Sequence, residues 1–187
     1  MYFIGWSLSD KIAAIASFVG LLQFVALILT YVIMRGTAIR QLRAYCLIAR
    51  AEVLDVELGK APKARITIKN FGQTPAKNFK TIAVLGYDTF PISRLPNPDF
   101  EHAEKVQQPL PPDGYFDIWP KLSEEIKIQK HIDDLKDGKA AIYAIGEISY
   151  IDAFGIERFT RFKVFCGGPI GYVSSGMSAY FEGNDYS

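Results

Sequence analysis

Apolar and polar positions change their rhythm twice along this chain. From Ile12 to Met34 it reads IAAIASFVGLLQFVALILTYVIM, 23 residues without a charge. A helix rises ~1.5 Å per residue, so this run reaches roughly 34 Å, enough to cross a hydrocarbon core of about 30 Å with some tilt. Ser17, Gln23 and Thr30 are its polar interruptions. Ser and Thr hydroxyls can bond back to their own helix; the Gln23 amide at mid-span is either tolerated or bonds across to a second helix, with Gly20 one turn away. Phe3, Trp6 and Tyr31 lie at or near the ends of the run, where interfacial aromatics gather.

Residues 35–45 (RGTAIRQLRAY) stay helix-compatible, with Ile39, Leu42 and Tyr45 at helical spacing and arginines between them. They predict a juxtamembrane helix whose arginines sit among lipid headgroups. From Cys46 onward the period shortens to two. ARITIKN (64–70) alternates, placing Ile66 and Ile68 on one face and Arg65, Thr67 and Lys69 on the other. FKTIAVLGY (79–87) is apolar on both faces, as a central strand is. Between them NFGQTPAKN (70–78) is a turn cluster, in which Gly72 can take a positive φ and Pro75 cannot donate to a ladder. Residues 140–151 and 156–166 form a hairpin around Asp152-Ala153-Phe154-Gly155, closed through a left-handed Gly155. In its second strand Ile156, Thr160, Phe162, Val164 and Cys166 face inward, while Glu157, Arg161 and Lys163 face out.

Ser123, Glu124 and Glu125 open a short helix whose apolar stripe is Ile128, Ile132 and Leu135, ended by Asp137-Gly138. Residues 91–112 hold six of the ten prolines and read as irregular chain, and 167–187 lack period apart from an edge strand around Tyr172. The expected architecture is therefore a tail (1–11), a transmembrane helix (12–34), a juxtamembrane helix (35–45) and a mainly β domain (46–187), an antiparallel sandwich with one short helix.

Composition sharpens this division. The first 34 residues hold two charges, Asp10 and Lys11, which leaves 20 of the 21 Lys and Arg against 19 of the 20 Asp and Glu in the remainder. A nucleic-acid binder needs a basic surplus to displace phosphate counterions, and this balance argues against that class. An apolar run of 23 residues exceeds a secretory h-region, and Arg35 follows it directly, so the segment reads as retained. Arg35, Arg40, Arg43 and Arg50 outnumber Lys11 and the free amine across the span, which places the domain in the cytoplasm.

Chemical motifs are scarce. His102 and His131 are the two histidines, and neither has a ligand or triad partner at motif spacing. Cys46 and Cys166 are too few for a disulfide scaffold and read as buried thiols. Cys166-Gly167-Gly168-Pro169-Ile170-Gly171 lacks the spacing of a phosphate loop. No residue stands out as catalytic, cofactor-binding or metal-ligating. The aromatics Tyr115, Trp119, Tyr172, Tyr180 and Phe181 fall in less regular segments, where they either cover the ends of the core or form a surface for a protein partner.

The stretch N-F-G-Q-T-P-A-K-N (70–78), the run Y-A-I-G-E-I-S-Y-I-D-A-F-G-I-E-R-F-T-R-F (143–162) and the late G-N-D (183–185) resemble a family of small uncharacterised proteobacterial single-pass membrane proteins. The N-x-G-x-T-P-A turn also resembles one in bacterial immunoglobulin-like adhesion and cell-surface modules. The resemblance implies an anchored immunoglobulin-like sandwich and no assigned activity, and kinship with surface modules pulls the domain to the periplasmic side; the location expected is a bacterial inner membrane, and no cofactor is expected. The function expected is a membrane-anchored, non-catalytic interaction module with the lipid bilayer and a protein as partners. The alternatives are an enzyme with a site assembled from sequence-distant residues and a helix-driven membrane oligomer through Gly20 and Gln23.

Overall fold

A computed structural model describes residues 5, 7–92, 104–105, 109–122, 126, 129–172 and 175–187. The chain divides into two compact units, residues 1–41 and 42–187. The expectations for Phe3, Trp6, His102, Ser123, Glu124, Glu125 and Ile128 lie outside the described residues.

The first unit is dominated by one helix, α1 (Leu8–Leu42). Ser7 caps it: its backbone N–H and hydroxyl donate to Asp10 Oδ2 at 3.0 and 2.6 Å, and its Oγ accepts from the Asp10 N–H at 3.2 Å. This reciprocal pairing satisfies donors that a helix start leaves orphaned. The helix has a mean hydropathy of 2.5 over its most apolar window and none of that window is buried, so it is long and apolar enough to cross a membrane. Thr30 and Thr37 donate to the carbonyls of Ala26 and Ile33, at 2.8 and 3.0 Å, so each hydroxyl finds its partner within the helix.

The second unit is mainly β, and every strand pairing among its described residues is antiparallel. Its elements are β1 (Cys46–Leu54), β2 (Lys63–Asn70), β3 (Lys77–Thr89), β4 (Glu104–Lys105), β5 (Tyr115–Ile118), α2 (Gln129–Lys136), β6 (Ala140–Ile151), β7 (Glu157–Gly167), β8 (Ser178–Ala179) and β9 (Asp185–Tyr186), with a 3₁₀ turn at Gly168–Ile170. One sheet has the order β1-β2-β5; the other runs β4-β3-β6-β7-β8, with β9 also on β7. The two sheets share one core. β2 alternates without a fault, burying Ala64, Ile66, Ile68 and Asn70, and these meet Phe79 and Leu85 of β3, Ile142 and Ile148 of β6, and Phe162 and Val164 of β7. α2 places Ile132 and Leu135 in contact with buried surface.

Residues 175–187 depart from the expected irregular tail. They bind the edges of both sheets. The Val53 N–H donates to the Ser175 carbonyl at 2.7 Å and the Met177 N–H to the Ala51 carbonyl at 2.9 Å, on β1. β8 and β9 then pair with β7. Asn184 joins them, accepting the Lys163 N–H at 2.9 Å and donating to the Tyr180 carbonyl at 2.7 Å. Unpaired edges invite other chains, and this segment covers part of one edge of each sheet. Three sequence expectations are corrected here. Tyr172 lies in a bend, not an edge strand. Lys163 faces away from the shared core as expected, yet it is buried, because the strap covers it. Ile156 is 42% exposed, because it belongs to the turn rather than the inward face of β7.

The start of β1 is fixed by Asn70. Its Oδ1 accepts the N–H groups of Tyr45 (3.1 Å) and Gly72 (2.9 Å), and its Nδ2 donates to the carbonyls of Thr74 (2.8 Å) and Leu110 (3.1 Å). The Phe71 N–H adds a bond to the Tyr45 carbonyl at 2.7 Å. A Cβ on Gly72 would collide with the backbone of Arg43, Ala44 and Tyr45, so glycine is required there for close approach. Asn70→Ala removes four hydrogen bonds at once, two of them buried; unfolding of the full chain in detergent, followed by urea titration, is expected to show a loss of about 2–4 kcal/mol. Gly72→Ala is expected to cost at least as much.

Candidate functional site

Strand alternation turns Arg65, Thr67 and Lys69 of β2 to the outer face of the three-stranded sheet, and the β5 register sets Lys69 opposite Tyr115 and Thr67 opposite Asp117. Asp117 organises this face. Its Oδ2 accepts from Arg65 Nε and Nη2 at 2.9 and 2.7 Å, and its Oδ1 accepts the Thr67 hydroxyl at 2.6 Å. The Thr67 hydrogen bond, then the Arg65 guanidinium, hold the Asp117 carboxyl below its ordinary range. Arg65 also lies 5.5 Å from the Trp119 ring, and Lys69 Nζ lies 5.1 Å from both the Phe71 and Tyr115 rings while pairing with Asp113 at 2.9 Å.

Tyr115 is 61% exposed, Trp119 48% and Phe71 49%. Aromatics and arginine are enriched where proteins meet proteins, the aromatics because they offer large contact area with few torsions to freeze and arginine because its planar fork both stacks and hydrogen-bonds. Here their cationic neighbours are already held by hydrogen bonds, so little ordering remains to oppose binding. Sequence reading found Tyr115 and Trp119 but missed Phe71, Arg65 and Asp117. The outward alternation of Arg65, Thr67 and Lys69 was the available signal, but nothing local announced which strand would lie beside it.

The other aromatics go elsewhere. Tyr172 is half-buried against the core. Tyr180 is buried on the outer face of the larger sheet in a cluster with Tyr143, Phe165 and Phe90. Phe181 stacks on Tyr180 at 4.1 Å and is 72% exposed. The five residues therefore do not make one surface. The Lys163 amine lies 3.5 Å from the centre of the Tyr180 ring and 5.7 Å from that of Tyr143. Burial pulls its pKa down, opposed by Glu182, while the ring faces offer the cation an attraction of their own. Its position locks the strap to β7.

Gly20 and Gln23 sit one turn apart on α1 with open space around Gly20, and Gln23 is exposed. Gly155 takes φ +79° in the hairpin turn, where the buried Asp152 carboxylate accepts the N–H groups of Phe154 and Ile156 and the Arg158 Nε at 2.9, 3.0 and 3.1 Å. Pro75 is exposed in the turn after Gly72. His131 packs its ring 5.0 Å from Tyr87 on α2. Among the described residues no group of three His, Cys, Asp or Glu side chains is placed to hold a metal.

Two grooves among the described residues are large enough for a small molecule. One, of about 480 Å³, lies over the hairpin end of β6 and β7 and includes Lys80, Glu147 and Arg158; Glu147 is engaged by Arg161 at 2.8 Å. The other, of about 430 Å³, runs between β1 and β7 over Ile48, Phe162, Val164 and Met177. Comparison with family models, with curated proteins and with solved structures finds no match.

Cys46 and Cys166 are buried and no disulfide joins them. Burial pushes their thiols up to about 12 and about 11, and raises the Tyr143 and Tyr150 hydroxyls to about 12. A folded-state pKa above the unfolded value contributes stability that is complete below the unfolded pKa, near 8.5 for a thiol, and is lost as pH climbs towards the folded one. All four groups share this sign. The urea midpoint is therefore expected to be flat from about pH 7 to 8 and to fall steadily above about pH 9, with a disulfide-exchange reagent labelling either cysteine at pH 8 only as fast as the chain unfolds.

Proposed function

We propose that this chain is a membrane-anchored interaction module: α1 holds it in the bilayer of a bacterial inner membrane, and an immunoglobulin-like sandwich presents the outer face of β1, β2 and β5 to a protein partner. The observation that carries the reading is the exposed, pre-organised row of Trp119, Arg65 and Tyr115 on that face. Strand order supports the immunoglobulin-like assignment. Lettered in chain order without a D strand, the sheets divide A-B-E from C′-C-F-G, the partition that Greek-key connections give such sandwiches. The mixed charge of the face, with Asp113, Asp117 and Glu52 beside the cations, suits a protein better than a polyanion. Tethering raises local concentration, so a weak interface suffices. The arginine-rich side of the span favours a cytoplasmic domain.

The test is capture in mild detergent with the intact chain against Trp119→Ala/Tyr115→Ala and, as control, Phe181→Ala. A partner lost at least tenfold by the double variant and kept by the control supports the reading, since two such anchors are worth about 2 kcal/mol or more. Equal recovery with all three sinks it. A C-terminal reporter active only outside the cytoplasm would reverse the orientation.

A second reading has its own observation. Ala16, Gly20, Gln23, Leu27, Thr30 and Met34 follow one another at alternating steps of four and three on α1, so small and polar side chains share a seam of the kind that packs membrane helices. Gln23→Leu is expected to weaken self-association in detergent several-fold if two copies pair there; unchanged sedimentation would remove this reading.

A further inference from the structure

The connections of the β unit bring three loops to one end. Residues 71–76 link β2 to β3, 109–114 precede β5, and 152–156 turn β6 into β7. Register places them together: Lys69 of β2 pairs with Tyr115, Ala76 bridges Leu110, and Lys77 pairs with Ile151. Their tips are apolar and open. Phe71 is 49% exposed, Phe154 41% and Ile156 42%, and Pro75, Pro111 and Pro112 are exposed beside them. Among the described residues of these loops Asp113 is the one exposed charge, and Lys69 neutralises it. The opposite end is different: its β1–β2 loop carries Asp55, Glu57 and Lys60, ion-paired around an isolated Leu58.

β1 also begins at the apolar end. Cys46 pairs with Asn70, and only Arg43–Tyr45 separate it from the last residue of α1. The four Cα-to-Cα steps from Leu42 to Cys46 span at most ~14 Å when extended, so the chain cannot carry this end far from whatever layer receives the end of α1. An exposed cluster of large apolar tips marks an interaction site, and its occupant here follows from the chain's own anchor. We infer that this end of the β unit rests on the bilayer, with Phe71, Phe154 and Ile156 inserted among the lipid headgroups. The inference depends on the reading of α1 as a membrane anchor. Docking is intramolecular once the helix is inserted, so shallow insertion of a few side chains is enough.

The test uses the full chain in phosphatidylcholine–phosphatidylglycerol vesicles, with Trp6→Phe and Trp119→Phe as background and single probes Phe71→Trp, Phe154→Trp or Leu58→Trp. Lipids brominated near the headgroup are expected to quench the first two at least twofold and to leave Leu58→Trp unchanged. Vesicle flotation with no quenching at 71 and 154, or with equal quenching at 58, overturns the docking and leaves the anchor standing; failure to float overturns both. Because a probe can disturb the fold, the unsubstituted chain is also labelled with a shallow photoactivatable lipid. Adducts on residues 71–76 and 152–156 support the inference, and adducts confined to residues 55–60 overturn it.

Discussion

The carboxamide of Asn70 is the constraint on which the β unit's entry depends. Its four hydrogen bonds tie the strand that enters the unit, the turn that switches the chain from one sheet to the other, and the loop that precedes β5. A side-chain amide has two acceptor sites and two donors, and all of this capacity is used in a place where water is excluded. Tyr150 adds a second tie from the other sheet, donating its hydroxyl to the Ala44 carbonyl at 3.1 Å, and Thr160 donates to the Cys46 carbonyl at 2.8 Å. β1 is thus bonded to its own sheet by its ladder and to the opposite sheet at its first residue.

The same economy recurs where motifs looked most specific. The N-x-G turn is the Asn70 clamp with Gly72 pressed on the entering backbone. Asp-Ala-Phe-Gly-Ile-Glu-Arg is a hairpin closed by a buried aspartate, and Gly-Asn-Asp is the hinge that fastens the strap over Lys163. These motifs are explained by backbone groups that need partners in a dry interior. The partner face carries no motif, being alternating positions on β2 and β5, whereas the apolar loop tips Phe71, Phe154 and Ile156 are the exposed positions of two of these motifs.

Much of the architecture was legible. The uncharged run from Ile12 to Met34 can only be a helix if it is to satisfy its backbone away from water, and the two-residue period of Ala64–Asn70 and of the 140–167 hairpin leaves one face of each strand apolar. β1 escaped an explicit strand assignment because Arg50 and a register shift between Ile48 and Arg50 interrupt its alternation. β5 was hidden because four residues are too few to display a period, and β8 and β9 because two residues hold no pattern at all.

The sequence alone thus determined a long apolar helix followed by an antiparallel β unit, because periodicity is a local property that neighbouring residues enforce on one another. Tertiary structure decided which aromatics became surface. Tyr180 looks like Tyr115 in sequence, yet one is pressed from the strap onto the larger sheet and buried, and the other is open on β5. Tertiary structure also buried Lys163, which alternation alone would have left in water. Both outcomes depend on which distant segment comes to lie over a sheet face, and burial by a remote strand leaves no trace in the residues it covers.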